Sequence, residues 1–143
     1  MRSYEMWFSM FIGMFLFQYF VSSYIMTNRP ENIMNSTGKV YMCTIMGLFM
    51  ILMDMLMSNM YDLKLIITVL GIIVFFIFLY RIQFAVNDKN YISEMIEHHS
   101  MALLTSKNIL AKTKNPAVNN FATKILVGQE KEIEDMRYLL KSI

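Results

Sequence analysis

The stretch EMIEHHSMALL, residues 94–104, holds both histidines of the chain, His98 and His99, between Met95 and Met101. Thioether sulfur is a soft, neutral donor that favours Cu(I), and imidazole nitrogen also suits Cu(II) or zinc. A mixed set of the two therefore points to copper ahead of zinc. Of 16 methionines only Met95, Met101 and Met136 lie beyond residue 60. The question is which elements would bring these donors together.

From residue 87 the apolar residues recur in steps of three and four, the period of an amphipathic helix. Asn87 or Asp88 is its expected cap. The stripe reads Ile92, Met95, His99, Ala102, Ser106, Ile109, which places His99 on the buried face and His98 about 100° round. After KTKNP, Asn115 caps a second helix with Pro116 at its first position. Its stripe reads Val118, Phe121, Ala122, Ile125, Gln129, Ile133, Met136, Leu140. A turn at residues 112–115 makes the helices antiparallel. His99 is then expected opposite Gln129, Met95 opposite Ile133 and Ile92 opposite Met136, with Glu132 beside them. The donors converge on one end of the hairpin. Methionine is also an ordinary core filler, and a buried histidine can be a satisfied core residue, so spacing alone leaves the metal and packing readings both open.

The run Asp88…Tyr91-Ile92…Met95-Ile96-x-His98-His99-x-Met101-Ala102, followed by Gln129-x-x-Glu132-Ile133-x-x-Met136, resembles the ferritin-like "domain of unknown function 305" family. The likeness covers residues 87–143 and is greatest to membrane-bound members with three preceding hydrophobic segments. It implies an all-α, ferritin-like hairpin or bundle that binds a metal, with copper the expected ion. Carried over, the ligands are Met95, His98, His99, Met101 and Met136, with Glu97, Gln129 and Glu132 around them. Glu97 stands where the family commonly has proline. A straighter helix follows, and Glu97 becomes a possible oxygen ligand.

The chain of 143 residues is 56% hydrophobic, with a mean hydropathy of +0.41, too apolar for a soluble domain of this size. Three stretches reach the roughly 20 apolar residues that span a bilayer. They run over 6–26, 40–60 and 63–80, giving a membrane domain at 1–86 and a water-exposed hairpin at 87–143. The first is read as a retained anchor, not a cleaved leader. The connection NMYDLK is short, so the second and third form a tight hairpin. Trp7, Tyr24, Tyr41, Tyr61 and Tyr80 lie near segment ends, where interfacial aromatics belong.

In the second segment Met42, Met46, Met50, Met53, Met57 and Met60 fall within an arc of about 80°, with Cys43 and Asp54 at its edge. Met6, Met10 and Met14 form a shorter stripe on the first. Facing each other, the two stripes make a thioether seam. We read it first as adaptable packing or lipid contact; a Cu(I) path or store is the alternative. Met42 and Met46 form an M-x-x-x-M similar to that of eukaryotic high-affinity copper transporters, but the third segment lacks the G-x-x-x-G used there for close packing. Asp54 is expected to be protonated, hydrogen-bonded to Tyr or Thr, near a cation, or reaching toward water.

Other classes find little support. Net charge is +2, with no basic block for nucleic acid. One cysteine, Cys43, permits no internal disulfide. Glu-x-x-His spacing, a Ser-His-Asp set, a phosphate loop and Cys-x-x-Cys are all missing, so an enzyme is not expected. A two-helix domain of this size buries little apolar surface, and docking onto a second copy as a four-helix bundle is expected. Two readings result: a copper-binding membrane protein for sequestration or hand-over, or a membrane scaffold whose hairpin self-associates without metal. The positive-inside count puts the C-terminal domain in the cytoplasm, whereas the family likeness puts it outside.

Overall fold

The computed structural model describes residues 2–58 and 62–143. Every element among them is helical. Met60, the last of the expected stripe, and Tyr61 lie outside the described residues. Six α-helices run α1 (Arg2–Leu16), α2 (Ser23–Met26), α3 (Thr37–Met57), α4 (Leu63–Arg81), α5 (Asp88–Leu110) and α6 (Pro116–Ser142) among these residues, with a π-helical stretch at Phe17–Ser22 and a 3-10 turn at Pro30–Asn32. Tyr4–Met26, Thr37–Met57 and Leu63–Arg81 are each long and apolar enough to cross a membrane.

The chain forms two compact units, residues 1–22 with 37–86 and residues 23–36 with 87–143. In the first, Trp7, Leu52, Met55, Val69 and Ile73 make the core. The start of α1 meets the end of α3, where the Trp7 indole Nε1 donates to Asp54 Oδ2 at 2.7 Å. The helices approach closely at Gly47, where an added Cβ would stand 2.6 Å from Phe11 Cδ2. At the other end of α3 the Tyr41 hydroxyl donates to the carbonyl of Phe84 at 2.9 Å. Asp62 caps α4 by accepting from the amides of Lys64 and Leu65.

In the second unit Asn87 caps α5 through the amide of Asn90. Asn115 caps α6 through the amides of Ala117 and Val118, with Pro116 in the first turn. These helix starts follow the expectation. Asp88, Tyr91 and Ile92 at the start of α5 line a shallow cleft with Leu139 and Ile143 at the end of α6, so the helices fold back on each other. The apolar core is Ile92, Ile96, Leu103 and Ile133, with Met34, Leu126, Met136 and Leu140 against it.

The buried face of α5 is rotated from the expected stripe. Its centre is Ile96, Ser100 and Leu103, with Ile92, Ser93 and Ser106. Met95, His99 and Ala102 are half-buried at its edge, and Ile109 is exposed. On α6, Ala122 and Ile133 are buried, but Val118 and Phe121 face solvent. The cause is a third partner. The connecting segment 23–36, expected as the end of the first span (to 26) followed by a plain loop of the membrane domain, packs on α5 beside α6, and α5 must turn one face to each.

Candidate metal centre

What fixes α5 in rotation is a polar clasp. Glu97 Oε1 accepts the hydroxyl of Ser23 at 2.5 Å, and its Oε2 accepts the amide of Met34 at 2.9 Å. One turn on, the fully buried Ser100 accepts the amide of Asn28 at 2.9 Å and Asn32 Nδ2 at 3.1 Å. Arg137 Nη2 of α6 closes the clasp by donating to Asn32 Oδ1 at 2.6 Å and to the carbonyl of Glu31 at 2.9 Å. The carboxylate of Glu97, expected near the ligands, is thus engaged by the connecting segment, which lies about 160° round the helix from His99.

On the α6 side, His99 Nδ1 lies 3.2 Å from Glu132 Oε2. The nitrogen is buried and takes no hydrogen bond, so the contact has ion-pair distance without hydrogen-bond direction. The side chain is 14% exposed. Burial holds the His99 pKa below the ordinary 6.5; Glu132 pulls it up, and the neighbouring His98 pushes it down. The neutral ring is therefore favoured, with a lone pair on one nitrogen. The His98 ring centroid is 6.0 Å from that of His99, but His98 is exposed. Gln129 Oε1, near the same level of α6, is also buried without a hydrogen bond.

The His99–Glu132 contact sets a register three residues on from the expected one. One turn along from that pair, Met95 on α5 and Met136 on α6 share a level, where Ile133 was expected opposite Met95. Both are half-buried. Met95 lies about 40° from His99 on the helix, whereas Met101 lies about 160° from it. By register His99, Met95 and Met136 lie with Glu132 on one side of the pair, while the exposed His98 and the half-buried Met101 lie elsewhere round α5. Among the described residues no three His, Cys, Asp or Glu side chains come together as a metal-holding group. A buried imidazole nitrogen without a hydrogen bond, beside two thioethers by register, fits a soft metal ion.

The membrane-type helices do not form the expected seam. Met42, Met50, Met53 and Met57 are exposed and Met46 is half-buried. The contacts of α3 with α1 use Gly47 and Asp54, and those with α4 use Leu52 and Met55. The stripe occupies the remaining face and points outward. Met55, outside the stripe, is the fully buried methionine. Among the described residues Asp54 pairs with Trp7 and not with Tyr or Thr.

Sequence reasoning passed over Ser100, Asn32 and Arg137, and read Trp7 as an interfacial aromatic and not as the partner of Asp54. A signal was there for the first: Ser93, Ser100 and Ser106 repeat at near-heptad spacing along the face that would otherwise be apolar.

Residues 78–141 match the family described as Domain of unknown function (DUF305), and the chain belongs to that family. It is 33% identical over 135 residues to the "Uncharacterized protein L153" of Acanthamoeba polyphaga mimivirus, covering 92% of this chain and 88% of that protein. No solved structure matches the chain.

Proposed function

We propose that this is a membrane-anchored copper-binding protein that sequesters or hands over Cu(I) at the edge between α5 and α6. The observation that carries the reading is the buried Nδ1 of His99, which takes no hydrogen bond and whose ring burial keeps neutral. Met95 and Met136 supply soft sulfur at the next level, and Glu132 supplies negative charge. His98, exposed on α5, and Met101, half-buried about 160° round that helix from His99, complete the set at the surface or across a second copy.

Self-association belongs to the same reading. Phe121, Val127 and Tyr138 of α6 are 66%, 64% and 79% exposed, more apolar surface than a lone helical pair needs to leave open. A second copy would cover it as a four-helix bundle of ferritin-like type. The three apolar helices anchor the assembly in a bilayer.

Cu(I) titration of the full-length protein in detergent tests the proposal, with His98→Ala/His99→Ala and Met95→Leu/Met136→Leu variants alongside. Loss of one bound Cu(I) per chain in both supports it. A parent protein without Cu(I) affinity overturns it and leaves a self-associating scaffold.

A further inference from the structure

We propose a second soft-cation site at the C-terminal end of α3, built from the carboxylate of Asp54 and the thioethers of Met50, Met53 and Met57. It does not rest on the histidine site. Met50 precedes Asp54 by four residues and Met57 follows by three, about 40° and 60° round the helix. Side chains so spaced are neighbours, with Cβ atoms about 5–6 Å apart. Met53 extends the same outward face. Met50, Met53 and Met57 are 38%, 38% and 79% exposed, so packing against α1 and α4 does not consume them.

Lipid contact alone does not account for the choice of methionine. The adjacent helix provides the comparison: Leu63–Arg81 contains no methionine and meets its surroundings with Ile67, Leu70, Val74, Phe75 and Phe78. What α3 adds on its outward face is not apolar area but sulfur. The methionine side chain is flexible enough for two thioethers to converge on one ion, and thioethers select Cu(I) over hard cations.

A monovalent cation beside an apolar helix needs a counter-charge. Asp54, on the neighbouring edge of α3 that faces α1, supplies it. The Trp7 indole N–H, 2.7 Å from Oδ2, holds the carboxylate in place beside the methionines. Asp54 is three residues from the end of α3, about 4.5 Å of helical rise, so it lies in the last turn and not at the middle of the span. Sulfur donors and a held carboxylate therefore coincide within two helical turns.

The test uses the full-length protein in lipid nanodiscs with silver(I), a soft probe without Cu(II)-type redox chemistry, counted per chain by elemental analysis. In an H98A/H99A background the protein should retain about one silver ion per chain. Adding M50L/M53L/M57L should remove it, and adding Asp54→Asn should weaken binding about tenfold or more through loss of the paired charge. Leucine keeps volume and hydropathy, and circular dichroism checks the fold. Cu(I) absorption-edge spectra of the H98A/H99A protein, a second readout, should show sulfur neighbours. The site is overturned if the H98A/H99A protein binds no silver, if the triple leucine variant binds as much as its parent, or if the copper shell lacks sulfur. Ion loss caused only by H98A/H99A removes this site and leaves the histidine site standing; ion loss caused only by the leucine changes does the reverse.

Discussion

Glu97 accepts the backbone amide of Met34 at 2.9 Å across 63 positions of sequence. With the Ser23 hydroxyl on its other oxygen at 2.5 Å, one carboxylate ties both ends of the connecting segment 23–36 to α5. Glu97→Gln keeps the shape but offers an N–H to one of two donors. Losing a charge-assisted bond and opposing two donors should cost about 1–3 kcal/mol. The readout is amide hydrogen exchange, which should quicken within 23–36 and stay slow in the middle of α6. Unchanged exchange in the segment would show that the carboxylate does not hold it.

Ser100 sets a sharper case because it is fully buried. Ser100→Ala removes the acceptor for the Asn28 amide and Asn32 Nδ2 and leaves both donors unpaired. A loss of about 2 kcal/mol is expected, since each unpaired buried donor carries a desolvation penalty. Thr105→Ala is the control: that hydroxyl bonds only carbonyls of its own helix, Met101 and Ala102, and its removal should change the unfolding midpoint little. Equal midpoint shifts for the two variants would refute the assignment.

These two residues also mark where the sequence stops being legible. Helix positions and both caps follow from local rules, because Asn87 and Asn115 act on amides two or three residues away. The rotation of α5 does not, because it depends on a partner more than 60 residues back. A stripe drawn on apolar residues alone favours Met95, His99 and Ile109 for the interior. The structure instead buries serines there and satisfies them with Asn28 and Asn32. The same limit applied to α3, where periodicity found the methionine face but not its direction. Gly47 and Asp54, which set the α1 contact, carry no apolar signal.

Gly47 gives the third prediction. A Cβ there would sit 2.6 Å from Phe11 Cδ2 and 2.9 Å from Cε2, inside van der Waals contact. The whole ring must swing or α1 must shift. Gly47→Ala should cost about 1–3 kcal/mol as an overpacking change. Combining it with Phe11→Leu should recover part of that loss, and the non-additivity in a double-mutant cycle measures the contact. Thermal unfolding in detergent provides the readout. Strict additivity would mean that the two helices do not meet at this point.

His99 sets the pH dependence of the metal-free protein. Burial lowers its pKa below 6.5, with Glu132 opposing and His98 assisting. In the unfolded chain the ring takes up its proton near the ordinary value; in the folded chain it does so only at lower pH. The unfolded state therefore binds more protons in this window, and stability falls as pH falls. His99's contribution is complete above about 6.5 and is lost as pH drops through the lower folded value. His99→Gln, which does not titrate, should flatten the midpoint-versus-pH curve there. The same shift keeps a nitrogen lone pair available for metal in mildly acidic solution. Cu(I) affinity should accordingly decline with acid only below the range in which an exposed imidazole takes up its proton. A parent whose stability rises on acidification from neutral would reverse the sign and exclude a buried, neutral His99.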